Sequence, residues 1–299
     1  MKIDIHVMQD ASEIVHYDTV GIPLYIRTSA LCNYPGMRAL CHWHEDLEMI
    51  RVLNGRMNYH INGKKILLEE NECLMVNSRQ MHYGYSHNHE NCTFTCILFH
   101  PQLFTGSMAV YEKYVKPYTE NPGLEYLYFY INHPLHKEIL GHLDTIASLK
   151  SIGLPGYEMA ITGNMNLLWS KLLSEAVLTL PEQRTQGATD LMIQKDMVSF
   201  IHQHYAEKIL LSDIAAAGNV SRSKCCIIFN HYLQQTPIDF LNHYRLEVSC
   251  NLLRNTDLNI TDIAFSCGFN HLSYYSKIFM NSYGYTPSQF RKLCLNKDK

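Results

Sequence analysis

The sequence predicts an α+β fold in which an amino-terminal antiparallel β-barrel carries appended helices. An all-α domain of two helix-turn-helix units joined by a long helix follows. Three observations carry this. Residues 20–100 alternate short apolar runs with turn residues, the apolar period becomes helical near residue 135, and the carboxyl-terminal third repeats itself. At 299 residues the chain is about twice the length at which a single core is the default, so more than one domain is expected.

In the barrel region the strand candidates are "GIPLYIRTSAL", "LEMIRVLNG", "RMNYHINGKKILLEENECLMVN" and "CTFTCILFH". Asn-Gly pairs at 54–55 and 62–63 punctuate them, as expected of hairpins in an antiparallel sandwich or barrel. Across 135–180, "LHKEILGHLDTIASL" and "GNMNLLWSKLLSEAVLTL" space apolar residues three and four apart, which predicts helices. Trp169, Leu172, Leu173, Ala176 and Leu180 form one stripe, either core packing or a self-association face. "PEQRTQGATD" reads as interdomain linker. The expected division is a barrel over 1–134, a helical dimerisation segment over 135–180, a linker over 181–194 and the double helix-turn-helix domain over 195–299.

With 46% hydrophobic and 18% charged residues the chain has the composition of a soluble globular protein. No run approaches the roughly 18–20 apolar residues of a membrane span, and the start "MKIDIHVMQDASEIVHYD" is too polar for a signal peptide. A cytoplasmic location with no membrane partner is expected. The ten cysteines stand singly apart from Cys225 and Cys226 and form no CxxC pair, which suits buried, reduced thiols. From residue 195 onward eleven Lys and Arg face eight Asp and Glu, whereas the preceding part holds fourteen against twenty. A mildly basic piece beside an acidic one points the carboxyl-terminal part toward a polyanion.

The repeat is the most informative feature. Asp213, Ile214 and Ala215 match Asp262, Ile263 and Ala264 at an offset of 49, while Ile228, Phe229, Thr236 and Pro237 match Ile278, Phe279, Thr286 and Pro287 at 50. Each copy has a short helix after Ser212 or Thr261, a turn at Gly218 to Val220 or Gly268 to Asn270, and a second helix. Cys225, Ile228 and Phe229, or Tyr275, Ile278 and Phe279, fall at helical spacing and face the core. The opposite face shows Arg222, Ser223, Cys226 and Ile227 in one copy, and His271, Leu272, Ser273, Tyr274 and Lys277 in the other. Thr236 before Pro237, and Thr286 before Pro287 with Gln289, are helix starts. The 17 residues "PIDFLNHYRLEVSCNLL" therefore form one spacer helix of roughly 25 Å, able to hold two recognition helices near the ~34 Å separation of successive major grooves.

On the motifs "LSDIA", "VSRS", "DFLNHYRLEVSCNLL", "ITDIAFSCGF" and "SYYSKIFMNSYGYTPSQFR", residues 195–292 resemble the DNA-binding domain of the AraC/XylS family of bacterial transcription regulators. The resemblance implies double-stranded promoter half-sites as partner. It assigns DNA contact to Arg222, Ser223 and Cys226 in the first unit, to Asn270, His271, Ser273 and Lys277 in the second, and to Arg245 on the spacer helix. It also implies a homodimer, an activator and RNA polymerase as a further partner. Ile227, Met280 and Asn281 depart from the family's basic or polar usage, which implies modest monomer affinity with a shallow salt dependence.

The stretch "HWHEDLE" raises a separate question. On a strand His42, His44 and Glu48 share one face and Trp43, Leu47 and Met49 the other. With Gly36 and Gly55 flanking them, this spacing resembles the first motif of the cupin barrels, where the histidines and glutamate are metal ligands. His82 stands at the distance of the second motif, although Asn71, Asn77, Arg79 and Ser86 replace its usual residues. Three readings stay open: polar groups of a small-molecule pocket, a bound divalent transition metal on His42, His44, Glu48 and His82, or structural histidines. Arg38, His42, His44, Glu48, Tyr59 and His82 are the candidate effector contacts, with His60 and Tyr83 nearby. The reading is a DNA-binding regulator rather than an enzyme, with no required cofactor; the resemblance to the AraC/XylS family implies control by a small polar metabolite such as a sugar in a cupin-like barrel. The alternative is a metal-dependent cupin enzyme with an attached DNA-binding domain.

Overall fold

The computed structural model describes residues 12–19, 21–121, 123–130, 132–175 and 185–297. The amino-terminal domain is built from eight strands: β1 (Leu24–Ala30), β2 (Leu47–Asn54), β3 (Met57–Ile61), β4 (Lys64–Leu68), β5 (Cys73–Val76), β6 (His82–Ser86), β7 (Thr93–Phe99) and β8 (Tyr126–Phe129). They form an antiparallel five-stranded sheet ordered β1-β7-β2-β5-β8 and a three-stranded sheet ordered β4-β3-β6. This is a cupin-like barrel left open rather than closed. The turn between β3 and β4 is the expected Asn-Gly pair, with Asn62 at φ 45 and Gly63 at φ 92, the left-handed geometry that matches hairpin twist.

Period-two alternation sorts the strand residues. In β2, Ile50 and Val52 enter the core between the two sheets with Tyr59, Leu74 and Phe94, whereas Leu47 and Met49 face the other way. That outer face is covered by helices. After α1 (Met108–Tyr114) and α2 (Lys116–Thr119), α3 (Pro134–Ile152) and α4 (Tyr157–Glu175) pack as a pair across it. Trp169 and Leu172 of the predicted apolar stripe are buried here, and the Trp169 indole donates to the Tyr114 carbonyl at 2.8 Å. The described part of the stripe is thus used within the chain; Ala176 and Leu180 lie outside the described residues.

The carboxyl-terminal domain is all-α: α5 (Thr185–His204), α6 (Leu211–Ala217), α7 (Arg222–Leu233), α8 (Pro237–Asn255), α9 (Ile260–Ser266), α10 (Leu272–Tyr283) and α11 (Pro287–Lys297). Of the expected linker, residues 181–184 lie outside the described residues, and from Thr185 onward the chain is helical. The polar face of α5 hid a helix whose opposite side, Met197, Val198 and Ile201, is buried against the first helix-turn-helix unit. The caps behave as their residue types require. Ser221 Oγ accepts the Lys224 amide at 3.2 Å, Thr236 Oγ1 accepts that of Asp239 at 3.1 Å, and Thr286 with Gln289 forms a reciprocal capping box. The spacer helix α8 runs for 19 residues, about 28 Å at about 1.5 Å per residue. The repeat yields two cores. One gathers Ile214, Cys225, Ile228 and Phe229, the other Ile263, Cys267, Tyr275 and Phe279.

The two domains pack together. Cys41, Met81 and Tyr83 of the barrel join the first helical core, and Lys195 Nζ lies 4.2 Å over the Trp43 ring. All ten cysteines are free thiols. Among the described residues no helix is long and apolar enough to cross a membrane.

Candidate functional site

Of the seven residues in "HWHEDLE", only Leu47 and Glu48 lie in a regular strand. His42 and Trp43 make isolated bridges, and a bend at residues 45–46 precedes β2. The facing still follows the expected parity, with the histidines and Glu48 inward and Trp43 toward the helical domain. His82, at the start of β6, is bridged antiparallel to His42, which brings the fourth side chain in. All four are buried, and their ligand atoms lie within 4.8 Å of one another.

Each imidazole is oriented by a main-chain carbonyl: His42 Nδ1 lies 2.8 Å from Leu40 O, His44 Nδ1 3.0 Å from Asp46 O, and His82 Nδ1 2.8 Å from Gln80 O. A carbonyl oxygen only accepts, so each Nδ1 carries a proton and each Nε2 is turned toward a carboxylate. His44 and His82 approach Glu48 Oε2 at 3.2 and 3.1 Å, and His42 approaches Glu13 Oε2 at 3.2 Å. The other Glu48 oxygen accepts the Tyr59 hydroxyl.

A neutral imidazole would point a lone pair at a carboxylate oxygen, which is repulsive. The centre therefore needs positive charge, either second protons on the imidazoles or a metal ion. Burial alone would raise the Glu48 carboxyl, but His82 and His44 outweigh it and hold it well below the usual carboxylate range. Burial likewise opposes charge on His42, yet Glu13 lifts that imidazole to about 9, while burial pushes His82 down. Three Nε2 atoms and a carboxylate, each imidazole fixed through Nδ1, fit a divalent transition metal by donor type and by outer-shell support.

Above this cluster, between the sheets, lies a cavity of about 370 Å³. His42, Glu48 and Tyr59 form part of its wall, with Tyr25, Arg27 and Tyr34 opposite and Phe94 among the apolar residues. Glu13 lines it too, held by a parallel bridge that pairs the adjacent Ser12 with Trp43. No sequence signal marked Glu13, because its link to His42 is purely tertiary.

Arg38 is placed elsewhere. It pairs with Tyr85 and His42 pairs with His82, so four steps along one segment face three along β6. That extra residue is a bulge that flips side-chain parity, turning Arg38 outward onto the Tyr83 ring at 4.3 Å. His60 also faces outward, stacked on Tyr83 with ring centroids 4.9 Å apart.

In the helical domain, Arg222 and Ser223 are exposed at the start of α7 and Cys226 is half-buried one turn on; Asn270, His271, Ser273 and Lys277 are exposed on or just before α10. Arg245, expected at the DNA, is instead buried: its Nε and Nη2 donate to the carbonyls of Tyr205 and Glu207, both at 2.7 Å, locking the end of α5 to α8. Its position on the spacer was legible, but the carbonyls that capture it lie about forty residues away.

A two-sheet barrel with a cavity walled by both polar and apolar side chains, packed on paired helix-turn-helix units with exposed recognition faces, defines a ligand-binding module coupled to a DNA reader. Residues 33–150 match the family model of the AraC-like ligand binding domain, and residues 214–293 that of a helix-turn-helix domain. The chain is 32% identical over 286 residues to the uncharacterized HTH-type transcriptional regulator YdeC of Bacillus subtilis, covering 95% of this chain and 97% of that one. It is 23% identical to the HTH-type transcriptional activator RhaS of Salmonella arizonae, over 84% of this chain and 87% of RhaS. A solved structure of ToxT from Vibrio cholerae aligns with 89% of this chain and 97% of that chain at 13% identity and TM-score 0.42. The chain belongs to the AraC/XylS family and is an AraC-type DNA-binding transcriptional regulator.

Proposed function

We propose that this regulator is an activator whose promoter binding is set by a small polar metabolite, such as a sugar, held in the barrel cavity. The observation that carries the reading is strand β6. His82 sits in the polar cluster beside the cavity, while its neighbour Tyr83 is buried in the core shared with α5, α7 and α8. A ligand that shifts β6 by a fraction of an ångström acts on both faces at once, and a coupling of about 1–3 kcal/mol suffices for regulation. Carboxylates, Arg27 and tyrosines around an aromatic wall suit a polyhydroxylated ligand. RhaS, a relative, is named an activator, which supports that sign and, with it, contact to RNA polymerase. Exposed Ile152, Leu154 and Met159 around the α3–α4 turn offer a face for a homodimer, which would span two half-sites. On this reading His42, His44, Glu48, Tyr59 and His82 serve sensing rather than turnover, and Arg222, Ser223, Cys226, Asn270, His271, Ser273 and Lys277 meet DNA.

Selection of bound DNA from a random pool, with and without polar metabolites, tests this. Two spaced half-sites are expected, with occupancy changed by an effector. Lys277→Ala should weaken binding over its segment by about 1–3 kcal/mol if it reads a base, or lower the salt slope by about one if it meets phosphate. Absence of preference for any sequence in any effector state would sink the proposal.

The cluster itself favours a metal anchor for the effector, since three fixed imidazoles and a carboxylate converge there. A bound ion would supply Lewis acidity and open positions for ligand oxygens. Elemental analysis of protein purified without added metal should find about one divalent transition metal per chain, lost in His44→Ala and His82→Ala. Metal-free protein with an intact effector response would assign the positive charge to protons alone. Catalytic turnover of a metabolite by the loaded protein would instead favour the enzyme alternative.

A further inference from the structure

A second cavity, of about 230 Å³, lies between the two domains and shares no lining residue with the one in the barrel. Arg38, Tyr85 and Ser86 line it from the barrel, and His243, Tyr244 and Glu247 of α8 with Tyr283 of α10 from the helical domain. The domains approach each other closely at two places, one of them at its wall. At one, Gly63 of the β3–β4 turn meets the His231 carbonyl at the end of α7; at the other, Gly36 meets the Tyr283 ring.

Its two strongest polar groups are the Arg38 guanidinium and the Glu247 carboxyl, and among the described residues neither is ion-paired, with the other or with anything else. Arg38 lies against Tyr83 and Tyr85, and among the described residues the Glu247 carboxyl has no hydrogen-bond partner. A half-buried guanidinium is costly unless a partner satisfies it, and a half-buried carboxyl without one holds its proton. Tyr85, Tyr244 and Tyr283 add aromatic walls of the sort that favour an organic cation.

We propose that the interdomain cavity is a second ligand site for a small zwitterion, a free amino acid or a betaine, whose carboxylate meets Arg38 and whose ammonium meets Glu247. Such a ligand touches both domains and stabilises their docked arrangement. Because coupling is reciprocal, it changes DNA affinity to the extent that the docked arrangement binds DNA differently, and it does so without occupying the barrel cavity.

Burial pushes the Glu247 carboxyl up to about 8, with Arg38 pulling the other way. The titratable groups around it are Arg38, Cys41, Tyr85 and His89 on the barrel side and His202, His243, Tyr244 and Tyr283 on the helical side. At neutral pH an arriving ammonium favours the ionised carboxylate, so binding releases a proton to solvent, and affinity rises with pH until the raised value is passed.

Isothermal titration of the full chain with glycine betaine, L-proline, L-glutamine and L-lysine, near pH 7 in two buffers of different ionisation heat, tests the site. At least one probe should bind with proton release. Arg38→Gln and Glu247→Gln should each weaken it by about ten-fold or more, Glu247→Gln also abolishing the proton release, and the barrel variant Tyr25→Phe/Arg27→Gln should leave it unchanged. Glu247→Asp, which keeps the charge, should retain the proton release at reduced affinity and serves if the glutamine variant does not fold. The site is overturned if no probe binds at about 10 mM, or if binding is lost in the barrel variant and kept in the two interdomain variants. The latter outcome would place the zwitterion in the barrel.

Discussion

Replacing Glu48 with alanine is expected to destabilise the protein by about 3–5 kcal/mol, the cost of removing one member from a buried, hydrogen-bonded charge cluster. Glu48 receives His44, His82 and Tyr59, all buried. Without it, two imidazoles fixed through Nδ1 and a phenol lose their common partner inside a core that water does not reach freely. Both tryptophans, Trp43 and Trp169, are in the amino-terminal domain or at its border, so urea unfolding followed by fluorescence reports on it. Glu48→Gln, which keeps the shape and one acceptor, should lose less than the alanine variant. A Glu48→Ala midpoint within about 1 kcal/mol of wild type would mean that the cluster is not a coupled unit.

Gly63→Ala is expected to separate the barrel from the first helix-turn-helix unit. Gly63 has φ +92, and an added Cβ would stand 2.2 Å from the His231 carbonyl oxygen, a backbone atom that cannot rotate away. The left-handed backbone alone costs an L-residue about 1–2 kcal/mol, and the overlap is relieved only by moving the hairpin off α7, for a total of about 3 kcal/mol or more. Small-angle scattering should show a larger radius of gyration, and the DNA response to effector should weaken while each domain keeps its secondary structure. Gly106→Ala is the control, since its Cβ meets nothing within 4 Å and its effect should stay within about 0.5 kcal/mol. Unchanged dimensions in Gly63→Ala would mean that the docked arrangement does not persist in solution.

These expectations draw on different amounts of sequence information. The repeat, the Thr-Pro helix starts, the Asn-Gly hairpin and the inward facing of His42, His44 and Glu48 were all legible, because each depends on residues within one turn or one strand of each other. The helix beginning at Thr185 was not, since its polar face resembles a linker and only burial of Met197, Val198 and Ile201 reveals the other side.

By itself, then, the sequence determined the two-domain α+β order, the doubled DNA reader, and the shared facing of His42, His44 and Glu48. Tertiary structure alone decided that a bulge turns Arg38 out of the barrel, that distant carbonyls capture Arg245 away from DNA, and that Glu13 and Glu247 face His42 and the interdomain cavity. The physical reason is that local patterning specifies backbone period and capping, whereas parity across a bulge and the partner of a buried charge depend on register between segments remote in the chain.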